Sequence, residues 1–390
     1  MQLAHAPSTA STFALNWDST PLTGSYPFAP ALRNFTVDAP DGRSPSLADL
    51  RSLRYHHHTR VAVDGSGRVW VVYSGNLTGE DQSGEITEVS SSADGWRTST
   101  GPIVAVAPQS SFTTATFPGM RISYPRAFVL YKRDLYLVAA IDAKAGPGDT
   151  QTGLALIAVR CRPDGTLSAP FLVSPASGYR PLPGRPTYPY NSMLGPALFT
   201  DANNLGVWGG SQVGYPRSPW TGFTTENNTP HGAGDFVEPS TAYLSSNRMR
   251  LYRLWRCTSG FDVFWLYASQ SFDGGSSWSP LIRTDIPNAP SSTAMIRLTD
   301  GRIALVGNPR STPGGVPRDP LYLALFNGSS GAIEHVYAVR QGLSGRPVFP
   351  NGQRGGAQYP GVWQSGNTLW ISYSIAKQQI GVSSAALPPI

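Results

Sequence analysis

Three consecutive histidines run into an arginine at His56-His57-His58-Thr59-Arg60, in a chain of 390 residues that holds only six histidines. Imidazole titrates near neutrality, so a histidine there can take or give a proton at physiological pH. Elsewhere Tyr124 stands between Arg121 and Arg126, Glu238 precedes a proline, Arg253 and Arg256 follow in the same segment, and Tyr359 precedes a proline shortly after Arg354. Histidine, tyrosine and glutamate are residue types of general acid–base catalysis, and the arginine fork clamps a carboxylate. These residues are far apart in sequence, so the chemistry depends on elements that gather them.

The elements come from an internal repeat. An apolar run, a tight polar turn and an apolar return run recur six times, with turns at 64–67, 132–134, 201–204, 245–247, 300–301 and 365–367, spaced by about forty-five to seventy residues. The return strands are expected at 68–75, 135–141, 205–211, 249–256, 302–308 and 368–374. Residues 236–280 show the whole unit: the inner hairpin, a third strand from Phe261 to Ser269, and the octet Ser271-x-Asp273-x-Gly275-x-Ser277-Trp278. In that octet Asp273 can accept turn N–H groups, Gly275 offers a positive φ and Trp278 can fill a gap between sheets. A shortened relative, Ser92-Ala-Asp94-Gly-Trp96, follows the first hairpin. The pattern predicts an all-β, six-bladed β-propeller, with seven blades as the alternative count.

Residues 51–390 form the single propeller domain in this reading, and residues 1–50 a closing strand and loop. The last blade has room for three strands, so its fourth is expected from Thr12 to Trp17 or Phe35 to Val37. In such a ring the heads of the inner hairpins converge on a central channel. They read 55–60, 121–126, 191–195, 235–238, 290–292 and 354–359, and the ring of His, Tyr, Arg and Glu side chains suits an acidic sugar.

High glycine (41) and proline (35) with only 14% charged residues favour short strands and tight turns over helices. The net charge of +6 comes without any Lys/Arg run of five or more, which points to an anionic ligand and argues against a dedicated nucleic-acid arm. Cys161 and Cys257 can pair or remain buried thiols. No segment is apolar enough to span a membrane, and residues 1–20 lack the regions of a signal peptide. An extracellular or virion-associated protein, exported through a removed signal or within a phage particle, is expected.

The octet, the Glu238-Pro start and Leu254-Trp255-Arg256 end of the fourth hairpin, Thr284-Asp285-Ile286-Pro287-Asn288 and Tyr359-Pro360 resemble the sialidase superfamily of BNR (Asp-box) repeat propellers. The resemblance implies that Tyr359 is a nucleophile assisted by Glu238. It also implies arginines gripping a substrate carboxylate: Arg256, with Arg253 as the substitute, and Arg310 or Arg354. The first blade departs from that pattern, because His57-His58-Thr59-Arg60 stands where a sialidase has its arginine. That motif, with Ser123-Tyr124-Pro125, is similar to BNR-type ulvan lyases, rhamnose-glucuronate lyases and rhamnosidases.

The lyase chemistry is coherent. Abstraction of the proton α to a uronate carboxylate needs a base, a proton donor for the leaving oxygen and cations around the developing charge. His57 or His58 serves as base, Tyr124 as acid or second base, and Arg60, Arg121 or Arg126 as clamp. Strand alternation predicts that only one of His57 and His58 faces the channel. Trp220 is the candidate sugar-stacking platform. No cofactor or metal is required, a structural Ca2+ in the channel is allowed, and no calcium-loop motif is present. The expected partner is an acidic oligo- or polysaccharide. The readings that remain are lyase action on a uronate, sialidase-like hydrolysis, and glycan binding without catalysis.

Overall fold

The computed structural model describes residues 13–17, 26–38, 50–80, 82, 84–107, 120–144, 152–175, 188–198, 223–224, 230–231, 236–257, 263–309, 318–343 and 355–389. Strand β1 (Arg33–Asp38) comes first. The first blade is β2 (Tyr55–Val63), β3 (Val69–Asn76), β4 (Ile86–Ser92) and β5 (Thr100–Val106). The second is β6 (Met120–Tyr131), β7 (Asp134–Lys144), β8 (Thr152–Cys161) and β9 (Phe171–Pro175). A two-residue ladder, β10 (Phe223–Thr224) with β11 (Pro230–His231), precedes the third blade of β12 (Phe236–Tyr243), β13 (Leu251–Cys257), β14 (Trp265–Ser271) and β15 (Ile282–Pro287). The fourth is β16 (Ala294–Arg297), β17 (Ile303–Gly307), β18 (Leu321–Phe326) and β19 (Ile333–Arg340). The fifth is β20 (Ala357–Ser365), β21 (Thr368–Ile375) and β22 (Gln379–Ala386), completed by β1.

The described residues therefore form five blades, not the six or seven expected. Five of the six hairpins fold as antiparallel pairs close to their expected bounds, and the one expected at 201–211 lies outside the described residues. The third strand expected at Phe261 begins at Trp265 instead.

β1 pairs antiparallel with β22, Phe35 opposite Val382, so an N-terminal strand completes the last blade and covers its edge. The other candidate, Thr12 to Trp17, makes no sheet there: Asn16 bridges Ala332 on the rim of the fourth blade, and Trp17 packs on Tyr322. The inner strands touch in the order β6, β2, β20, β16, β12. The core lies between adjacent blades. One cluster joins the fourth and fifth through Leu323, Leu325, Leu369 and Ile371, and another joins the first and second through Trp70, Val72, Leu135 and Leu137.

Turn chemistry fixes the blade tips. Ser271 Oγ donates to Asp273 Oδ1 (2.7 Å) and receives Gly275 N–H, while Asp273 Oδ1 receives Ser277 N–H at 2.9 Å. The same bonds recur one for one at Ser92, Asp94, Trp96 and Thr98. The first-blade turn is thus full length, not shortened: Trp96 holds the slot of Gly275, with φ 72° against 94°. Its ring is buried against Val61 and Val382.

Cys161 and Cys257 are buried and form no disulfide with each other; Cys161 lies in the cluster between the first and second blades and Cys257 in one of the third. Among the described residues no helix is long and apolar enough to cross a membrane.

Candidate active site

In an ordinary strand His57 and His58 would face opposite sides. Instead β2 carries a bulge between His57 and Arg60, where three steps on β2 oppose two on β3. His58 there has φ 55°, and a bulge with one left-handed residue re-aims its side chain. Both rings consequently face the channel with centroids 4.4 Å apart, which corrects the expectation that only one would.

The same device recurs around the ring. β12 is bulged between Val237 and Ser240, with Glu238 at φ 52°, and β20 between Gln358 and Gly361, with Tyr359 at φ 54°. β6 shifts register between Pro125 and Ala127, at Arg126. Left-handed φ is uncommon for residues with a Cβ. Three strained positions at equivalent places on three inner strands, holding His, Glu and Tyr, mark a site whose aim matters.

The centre is a hydrogen-bonded triangle. Tyr359 OH donates to Glu238 Oε1 at 2.6 Å, and Arg256 Nη1 donates to Glu238 Oε2 at 2.6 Å and to the Tyr359 oxygen at 2.7 Å. Burial raises the phenol pKa well above its usual range; Arg256 counters this, and Glu238 adds to it. The phenol is therefore protonated at neutral pH. Arg256 is the reverse case: burial weakens its charge, but Glu238 and Tyr359 more than restore it.

His57 and His58 flank this triangle, their centroids 4.1 Å and 5.2 Å from the Tyr359 ring, and Tyr124 meets His58 edge-on at 5.1 Å. Nδ1 of His57 lies 2.6 Å from Ser374 Oγ, and Nδ1 of His58 lies 2.9 Å from Ser74 Oγ. Glu80 Oε1 is 3.4 Å from His58 Nε2 and 3.8 Å from His57 Nε2, and its other oxygen is held by Lys377 Nζ. Burial drives the His57 pKa well down, aided by His58 and Lys377, so His57 is neutral. Burial also acts to lower that of His58, but Glu80 and Glu85 outweigh it and raise the value. Two adjacent imidazoles are thereby shifted in opposite directions.

Arginines surround the pair. Arg318 lies over the Tyr359 ring at 5.3 Å and donates to Gln358 Oε1 and, at 2.8 Å, to the Pro290 carbonyl. Arg60 donates to the carbonyls of Thr59 and Arg126. Burial, with Arg126 nearby, lowers Arg60 to about 9, and burial also lowers Arg318. Arg60 Nη2, Arg256 Nε and Arg318 Nε are buried donors without a hydrogen-bond partner. A site with unspent cationic donors is complementary to an anion.

His57, His58, Arg60, Tyr124, Arg126, Glu238, Arg256 and Tyr359 are thus gathered as the sequence suggests. Arg253 is not. It turns the other way along β13, stacks on Trp278 at 3.9 Å and donates to Thr241 Oγ1, so it is no substitute for Arg256. Arg310, Arg354 and Trp220 lie outside the described residues, as does the side chain of Arg121. Glu80, Arg318 and Lys377 escape the sequence reading because they lie in connections, not at hairpin heads. Arg318, directly before Asp319-Pro320 at the start of β18, is the one whose setting offers a signal. Beyond the bulges the channel widens into a cavity of about 490 Å3 lined by Arg60, Ala127, Thr241, Met295 and Val362. None of the histidines, Glu238 or Tyr359 lines it.

Residues 199–371 match the BNR repeat-like domain family. A sequence comparison with curated proteins finds no match. Among solved structures, a sialidase superposes with a TM-score of 0.71 at 19% identity over 95% of this chain and 35% of its own. NanB sialidase from Streptococcus pneumoniae gives 0.54 at 13% identity, covering 89% and 70% of the two chains. A Trypanosoma rangeli sialidase in complex with sialic acid gives 0.54 at 12%, covering 93% and 60%. The chain spans about a third of the length of the first of these sialidases. With its run of five adjoining blades, the protein has the β-propeller fold of the sialidases, and its residues 199–371 match the BNR repeat-like domain family.

Proposed function

We propose that this protein is a glycoside hydrolase that cleaves the bond at an acidic sugar, with Tyr359 as nucleophile. The observation that carries the reading is the triangle of Tyr359, Glu238 and Arg256, in which a buried phenol already donates to a carboxylate. Glu238 takes the phenol proton as the oxygen attacks the anomeric carbon, the glycosidic C–O bond breaks, and His58 protonates the departing oxygen. Water then displaces Tyr359 from the anomeric carbon, giving its proton to His58 as it attacks, while Glu238 returns the proton to the departing phenol oxygen. A neutral phenol suits an anomeric centre that bears or adjoins a carboxylate, because it avoids the repulsion a carboxylate nucleophile would meet. The unspent donors of Arg60 and Arg318 supply the clamp for that carboxylate. The sialic acid in the Trypanosoma rangeli sialidase is one sugar of this class.

A second reading has its own support. Neutral His57 beside His58 and Tyr124 has the make-up of a β-elimination site on a uronate, with His57 as base. Incubation with sialyl and uronate-containing oligosaccharides separates the two, since elimination raises absorbance near ~235 nm and hydrolysis does not. Hydrolytic product without that rise is expected, with Glu238→Gln losing about 10²–10⁴-fold in kcat. A rise abolished by His57→Ala but kept in Tyr359→Phe would overturn the hydrolase assignment. Tight glycan retention without product from any substrate would reduce the site to recognition.

A further inference from the structure

A second group of ionisable side chains converges away from Tyr359. Asp38 ends β1, His56 is the second residue of β2, and Glu88 lies within β4, so the group sits on the seam between the fifth blade and the first. One ligand atom from each lies within 4.8 Å of the others. His56 Nε2 is 3.5 Å from both Asp38 Oδ2 and Glu88 Oε2. All three residues are buried, His56 and Glu88 completely, and neither Glu88 oxygen nor His56 Nε2 has a hydrogen-bond partner.

The tautomer of His56 decides what this centre can hold. Its Nδ1 lies 3.0 Å from the Gln378 carbonyl oxygen, which can only accept, so Nδ1 carries a proton. With Nδ1 as the protonated nitrogen, Nε2 is the one left to offer a lone pair, and it faces two carboxylate oxygens. A proton on Nε2 answers this poorly, because N–H···O bonds span about 2.7–3.2 Å and one proton cannot serve both acids. A tetrahedral cation answers it well: metal–ligand distances of about 2.0–2.2 Å place neighbouring ligand atoms roughly 3.3–3.5 Å apart. Its two positive charges also cancel those of the carboxylates, which leaves the buried centre neutral.

The surroundings have the form of a metal site's outer shell. A backbone carbonyl on Nδ1 is the usual way a ligating histidine is oriented, and Tyr73 OH holds Asp38 by donating to Oδ2 at 2.8 Å. Gly75 faces Glu88, and a Cβ there would approach Oε2 to 2.7 Å, so the glycine makes room for the carboxylate. By contrast, the trio of His57, His58 and Glu80 is already served by a cation, the Lys377 ammonium.

We propose that Asp38, His56 and Glu88 bind one divalent first-row transition cation, zinc by donor type, which fastens β1 to the first blade. Calcium and magnesium fit poorly, since they favour all-oxygen shells of six or more ligands.

The test uses the full chain, stripped with a chelator and then loaded with Zn2+ or Co2+. Expected are about one equivalent of metal retained through desalting, the visible absorption of tetrahedral cobalt, and a Tm that rises on loading. Glu88→Gln and Gly75→Ala should lose all three, and Glu80→Gln should keep them. Wild-type protein that retains no metal and shows the same Tm stripped and loaded overturns the proposal, an arm that needs no variant to fold. Retention that survives Glu88→Gln overturns it too, and places the ion elsewhere.

Discussion

His58, Glu238 and Tyr359 hold φ between 52° and 55°, a region in which a Cβ costs roughly 1–2 kcal/mol. That cost separates aim from stability and is measurable. Glu238→Gly should be more stable than Glu238→Ala by about 1 kcal/mol in denaturant titrations, although both lose the carboxylate. Protonation gives a second test. Glu80 raises the His58 pKa, so Glu80→Gln should move the alkaline limb of the kcat/KM profile to lower pH. The sign for folding is the same. A histidine whose folded pKa is raised stabilises fully below its ordinary 6.5, and that contribution fades as pH rises through the folded value. At this scale the sequence shows which residue types recur at hairpin heads. It could not show that His57 and His58 both face inward, because strand alternation says otherwise and the bulge that overrides it has no glycine to announce it. Nor does any spacing motif join positions 38, 56 and 88.

Bulges and turns are what the strands add to the apolar pattern. Hairpins were legible because each buries alternate or continuous apolar residues between blades, and because their turns are built from Asp, Gly, Ser and Asn. Trp96 was misplaced for the opposite reason: a tryptophan in a left-handed slot breaks the rule that reserves such slots for glycine. The two matched turns predict an acid response. Hydrogen bonds from Thr98 and Ser92 lower Asp94 to about 2, and those from Ser277 and Ser271 lower Asp273 against the opposing effect of burial. Depressed carboxylates stabilise the fold above their ordinary value of 3.8 and lose that contribution as pH falls through the folded one. Circular dichroism should therefore show Asp94→Asn with a lower Tm than wild type at pH 7, with the gap closing as the pH falls to about 2.

Blades meet backbone to backbone at the channel. A Cβ on Gly361 would come within 2.7 Å of Arg60 Cα and 2.9 Å of Val61 N, main-chain atoms that cannot swing aside. Gly361→Ala should part the first and fifth blades and lower stability by about 1–3 kcal/mol, read as a lower midpoint in urea. The overall class was legible, since hairpin repetition with a strand deficit in the last blade implies a ring closed from the other end. The blade count was not, because a repeat in the sequence gives no assurance of a blade among the described residues. The closure by β1 carries a consequence for assembly. Until β22 emerges from the ribosome, β1 has no mate, and at high concentration it can lodge in the ring of a neighbouring molecule. Exchange of that one segment between two chains would yield an intertwined dimer with every native pairing intact.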